Sequence, residues 1–351
     1  MEMRVALGQY PRPSDDYLTF AKQLGVSGVQ FNTPELPGQA RWDSVDLKAL
    51  VAKVGEFGLT VEAIENLPTS FFDKVMLGRP GSEEQLAHVR STIESIGHAG
   101  IPILGLCFMP QSVWRTGLGP HGRGGAVTSS YDHVIASDPA RLDEVWEARR
   151  DQRRSDVKDS WVLGSHAISG VRLTEAEMWA NFTHFVRAIA PTAEDAGVTI
   201  AFHPDDPPVP ELDGIPRILR SVDALERAMS IIDSPAIGLD LCLGTVSEMG
   251  GADAVLDAID RFGPEGKIIY VHMRDVQGQV PTFTECFLGE GNYSPLEAVR
   301  RLHRVGFRGF ILDDHTPGLT GDDGYGYRGH AHATGYLQAL VAAVQDEQHV
   351  G

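Results

Sequence analysis

The stretch EDAGVTIAFHP, residues 194–204, decides the fold. A helical pattern runs into Gly197, a near-continuous apolar run follows, and that run stops on His203. Glycine ends a helix cheaply in the left-handed conformation. An apolar run without alternation suits a parallel strand covered on both faces. Four of the seven residues from 204 to 210 are then proline. Proline lacks the amide hydrogen and clashes with the preceding turn, so no helix continues there. A strand that ends on a histidine, followed by a stiffened loop, predicts a side chain held in place for use.

The same grammar recurs along the chain. KQLGVSGVQFN (22–32), GEFGLTVEAIE (55–65), GHAGIPILGLCFM (97–109) and HRVGFRGFILDD (303–314) each place a glycine between a helical pattern and a short apolar strand. Three further strands fit the gaps at 4–9, 237–244 and 268–275, and a last helix is expected over roughly 330–346. Eight strands alternating with helices predict an α/β fold of the (β/α)8 barrel type. An open doubly wound sheet is the rival, but no G-x-G-x-x-G follows the first strand. Barrel domains reach about 250 residues or more, so residues 1–351 are expected to form a single barrel domain. The region 110–165 breaks the period. RTGLGPHGRGGAVTSS is glycine-rich and polar, and DEVWEARRDQRRSD (143–156) is a charged helical run. This inserted loop and helical region after strand four is expected on the catalytic face, where a long loop is usually functional.

Composition narrows the function. The formal charge is −18, with 48 acidic against 30 basic side chains. Such a field repels nucleic acid and anionic membranes, so neither is an expected partner. The amino terminus MEMRVALGQY carries no apolar signal region, no stretch has membrane-spanning length, and a cytoplasmic location is expected. Cys107, Cys242 and Cys286 are too few and too scattered for a disulfide framework. Cys107 and Cys286 sit in apolar surroundings and are read as inert.

Strands five to eight each carry one metal-competent side chain near the carboxyl end, where barrel active sites are built: His203, Cys242, His272 and Asp314. Two imidazoles, a thiolate and a carboxylate make a mixed N, S, O donor set for one divalent ion. Any one of them alone is ordinary; four at matching heights are not. Asp313 beside Asp314 must face the other way, because successive strand residues alternate. Arg274 lies two residues after His272 on the same face and suits an anionic substrate, or else an ion pair. Glu65 ends strand three, placed to bind a polyol or to support the metal. Tyr325 is flanked by glycines in a loop that can fold over the barrel mouth. His330 and His332 are expected in solvent.

These residues together resemble the mannonate dehydratase family of the xylose isomerase-like barrels. HPDDPP (203–208) with GIPRI (214–218) is the most specific match; FMP (108–110), WRT (114–116), CLGT (242–245), HMR (272–274), TFTE (282–285) and GYG (324–326) follow in order. The resemblance implies a hydro-lyase that converts D-mannonate to 2-keto-3-deoxy-D-gluconate in hexuronate breakdown. It places His203, Cys242, His272 and Asp314 at the metal, which is Mn2+ in the usual case, with Fe2+ or another divalent ion as alternatives. Tyr325 and His315, which match family positions, are the expected acid/base pair in an order left open, and Arg274, Glu65, Asp205 and Trp114 are the expected substrate contacts. A homo-oligomer, dimer or tetramer, is also expected. Leu106, Cys107 and Val113, and DDHT (313–316), depart from the family pattern and alter part of the substrate wall. Two rivals remain on the same barrel: a metal-dependent sugar or sugar-acid isomerase or epimerase, and a non-catalytic sugar-acid-binding barrel.

Overall fold

A computed structural model describes residues 2–138, 170–322 and 324–347. Eight strand positions form one parallel sheet that closes on itself. The first strand, β1, comes in two pieces, Arg4–Val5 and Leu7–Tyr10. It is followed by β2 (Gly28–Asn32), β3 (Thr60–Glu65), β4 (Ile103–Leu106), β5 (Thr199–Phe202), β6 (Ile237–Cys242), β7 (Ile268–His272) and β8 (Phe310–Leu312). The break in β1 makes the closure: its first piece pairs with β8 through Arg4↔Phe310, and its second pairs with β2 through Leu7↔Val29. The sheet is thus the predicted barrel, with strand ends within a few residues of those read from the sequence.

Each strand is followed by a helix on the outer layer: α1 (Asp15–Gln23), α2 (Ser44–Glu56), α3 (Ser82–His98), α4 (Glu175–Ala196), α5 (Val222–Met229), α6 (Leu243–Phe262), α7 (Pro295–Arg304) and α8 (Tyr327–Asp346). α4 shows the local logic. Thr174 and Glu177 form a reciprocal capping box at its start, and Gly197 ends it at φ 67°. The five glycines singled out by the repeat, 25, 58, 100, 197 and 306, all have positive φ. The main core lies between sheet and helices, while Ala6, Ala63, Ala201, Tyr270, Phe310 and Leu312 form a separate small cluster within the barrel. Small side chains leave room there for Tyr270, whose hydroxyl lies 2.1 Å from where a Cβ on Gly105 would stand. Only glycine fits opposite that ring.

The insertion after β4 differs from expectation. Gly117–Gly119 and Thr128–Asp132 are strands, and they join a hairpin inserted after β7, Asp275–Gln279 with Thr282–Cys286. The result is a four-stranded antiparallel cap, with Phe283 opposite Tyr131. Its own core holds Trp114, Tyr131, Ala136, Val209, Leu212, Val276 and Phe283. The glycines expected to make a loop instead supply an edge strand and a tight turn. The charged run 143–156 lies outside the described residues. Among the described residues, no helix is long and apolar enough to cross a membrane.

Candidate metal centre

At the carboxyl ends of β5 to β8, His203, Cys242, His272 and Asp314 offer ligand atoms that all lie within 4.8 Å of one another, and all four residues are buried. The stiff loop after β5 holds the first of them. His203 Nδ1 lies 2.6 Å from the Pro204 carbonyl oxygen and donates to it, which turns Nε2 toward the cluster. His272 is the mirror case. Its Nε2 lies 3.0 Å from Glu65 Oε2, while its Nδ1 is buried without a hydrogen-bond partner, 3.8 Å from Asp314 Oδ1. An orphaned ring nitrogen facing a carboxylate and a thiol is what a cation would satisfy.

Cys242 closes β6 and caps α6. Its Sγ accepts from the Thr245 backbone N–H at 3.4 Å and from Thr245 Oγ1 at 3.2 Å. A helix amino terminus favours a thiolate. Burial pushes the thiol up, but the Arg274 charge and the imidazoles of His203 and His272 outweigh it and bring it down to about 5. Asp314 is opposed by burial in the same way, yet His315, His272 and Arg274 hold it at about 2. Burial lowers His203, and the Cys242 and Asp240 charges raise it to about 10. The residues present fit a divalent cation.

Arg274 is enclosed by carboxylates. It is 1% exposed. Its guanidinium donates to Asp314 Oδ2 at 3.0 Å, Glu248 Oε1 at 2.8 Å, Asp206 Oδ2 at 2.5 Å and Thr245 Oγ1 at 3.0 Å. The residue expected at the substrate is thus engaged as a buried brace on Asp314 and its neighbours. Asp205 is a brace too: its Oδ2 accepts from the Leu219 backbone N–H at 2.7 Å. Trp114 is fully buried in the cap core. Glu65 lies beneath His272 and also accepts from Gln9, Gln30 and Asn32, which fits the metal-supporting alternative.

His315 stands at the mouth with 36% of its side chain exposed. Its Nδ1 is 2.8 Å from Glu285 Oε1 in the cap hairpin, and its Nε2 is 3.5 Å from Asp314 Oδ1. Burial lowers its pKa, but the Asp314 and Glu285 carboxylates win and raise it. Tyr325 is not brought to this cluster. Its hydroxyl donates to the Gly8 carbonyl at 2.5 Å, its ring stacks on His330 at 4.0 Å, and Tyr10, Tyr17, Phe20 and Tyr327 surround it. His330, expected in solvent, is 5% exposed and pairs with Asp313 at 2.8 Å, so Asp313 faces away from the metal cluster as alternation requires.

Several site residues escaped the sequence reading. Arg115 bonds Asp206 and Glu285; Glu248 and Glu285 are buried carboxylates beside Arg274, and Asp240 is one beside His272. Asp240 had a usable signal, since it precedes Cys242 by two and shares its face. The others come from a loop (Arg115), from α6 (Glu248) and from the cap hairpin (Glu285), whose meeting no local pattern reveals.

The fold and cluster define a (β/α)8 barrel with a metal-competent centre at its carboxyl face. The D-mannonate dehydratase (UxuA) family model matches residues 1–350, and the chain belongs to that family of hydro-lyases. It is 30% identical over 334 residues to the mannonate dehydratase of Streptococcus agalactiae serotype III, covering 91% of this chain and 92% of the relative. It is 27% identical over 347 residues to that of Lactococcus lactis subsp. cremoris, covering 93% of each. The crystal structure of mannonate dehydratase from Streptococcus suis serotype 2 matches with a TM-score of 0.82 at 25% identity, over 99% of this chain and 96% of that one. An L-ribulose 3-epimerase matches with a TM-score of 0.61 at 15% identity, over 100% and 98%; that likeness is one of fold.

Proposed function

We propose that this chain removes water from D-mannonate and releases 2-keto-3-deoxy-D-gluconate. The observation that carries the reading is the four-donor cluster on four successive strand ends. The C2–H bond breaks, the C3 hydroxyl leaves with a proton as water, and the resulting C2–C3 enol becomes the 2-keto acid. A divalent ion held by His203, Cys242, His272 and Asp314, with manganese as the proposed metal, would supply Lewis-acid stabilisation of the charge that develops on the substrate.

The chain's own residues do the rest. His315, partly exposed and backed by Glu285, is the proton carrier at the mouth. Arg274 keeps Asp314 ionised and aimed at the centre. Glu65 holds the proton on His272 Nε2. A cytoplasmic place in hexuronate breakdown and a homo-oligomeric state belong to the same proposal, and light scattering on the purified protein tests the latter.

The test is a turnover screen of the manganese-loaded protein against hexonic and pentonic acids, read by NMR. D-mannonate should yield a 2-keto-3-deoxy acid. Exchange of the C2 proton with the C3 hydroxyl retained would instead make this an epimerase.

A further inference from the structure

Asp240 on β6 points at His272 from below. It is wholly buried, with the Tyr270 hydroxyl as its neighbour, and neither of its carboxylate oxygens has a hydrogen-bond partner at ordinary distance and angle. Buried polar atoms in folded proteins nearly always have partners, so two orphan oxygens on one side chain demand a reason. The nearest charge partner is His272, whose Nε2 lies 3.6 Å from Asp240 Oδ2 and 3.0 Å from Glu65 Oε2.

Two carboxylates therefore face one ring nitrogen, while the other ring nitrogen faces the metal cluster. We propose that Asp240 is a positioning residue: together with Glu65 it fixes the Nε2–H tautomer of His272 and directs Nδ1 to the metal. Carboxylates behind a ligating imidazole raise its basicity and commonly carry ten- to a hundredfold in metal affinity.

A second cation bound by Glu65, Asp240 and His272 is the competing occupant. Glu65 argues against it. Its Oε2 already accepts from the amides of Gln30 and Gln9, and its Oε1 from Asn32. A carboxylate crowded by donors is set to receive another N–H rather than to ligate a metal.

The inference rests on the reading that the upper cluster holds an ion, and the experiment separates the two. Co2+ is titrated into the metal-free full chain and followed by the thiolate-to-cobalt charge-transfer band of Cys242. Parent protein that binds no Co2+ ends the metal reading itself. With the parent binding one ion, Asp240→Asn should also bind one, with the same band at saturation, an unchanged melting temperature without metal, and a Kd raised about ten- to a hundredfold. An unchanged Kd overturns the proposal, and so does a second ion bound by the parent. Should Asp240→Asn fail to fold, 15N spectra of the Zn2+-loaded parent decide: His272 ligating through Nδ1 with hydrogen on Nε2 supports the proposal, and ligation through Nε2 overturns it.

Discussion

Arg274 was legible in direction but not in company. Its place two residues after His272 gives the face it occupies, yet its partners Asp206, Glu248 and Asp314 arrive from three other segments. The sequence shows the cation and hides the carboxylates that absorb it. Breaking such a buried network by removing one member leaves uncompensated charge, worth about 3–5 kcal/mol. Arg274→Met should therefore lower the melting temperature and the metal content together. A variant with parental stability and only a raised KM would restore the substrate-binding role. The four clustered donors were more readable, because each lies at a strand end or within two residues of it, where the apolar run stops. Cys242→Ser and His272→Ala should lose bound ion with the fold retained, as measured by elemental analysis and circular dichroism. Full occupancy in both would sink the ligand set.

Among elements, five of the eight barrel strands announced themselves through the glycine before them, and the cap did not. Its hairpin carries only Val276 and Phe283 as buried apolar side chains in the cap core, and its partner strand lies about 150 residues upstream, beyond any local periodicity. The loop that leads into α8 posed a different difficulty. Glycines on both sides of Tyr325 suggested reach toward the mouth, but six aromatic rings gather instead: Tyr10, Tyr17, Phe20, Tyr325, Tyr327 and His330. Burying the ring outweighs exposing it, and its hydroxyl finds the Gly8 carbonyl. From this seat, Tyr325→Phe should cost about 1 kcal/mol of stability through the lost hydrogen bond and leave kcat within severalfold of the parent. A hundredfold fall in kcat at unchanged melting temperature would show that the phenol leaves its seat during turnover.

At the scale of the whole molecule, the Cys242 thiolate and the carboxylates beside it decide how the centre responds to pH. His203 is raised to about 10 and His272 well above the usual imidazole range, in each case against the pull of burial. An imidazole must shed its proton before it ligates. Protons are bound at neutral pH and lost as pH rises toward these values, so metal affinity should climb by roughly tenfold or more per pH unit between 7 and 9. Calorimetry in buffers of differing ionisation enthalpy should register the release of protons on binding; a pH-independent affinity with no release would contradict the charge state derived for the centre. The seam of the barrel acts on another timescale. Arg4 pairs with Phe310 and Val5 with Ile311, so the first strand meets its partner only when nearly the whole chain exists. At a synthesis rate of about 5–20 residues per second, that edge waits on the order of 15–60 s for its neighbour. During that interval it is an open β edge with apolar faces, the kind of surface to which chaperones and other nascent chains bind. The barrel's birth, more than its finished stability, is where crowding and temperature should bear hardest on its yield.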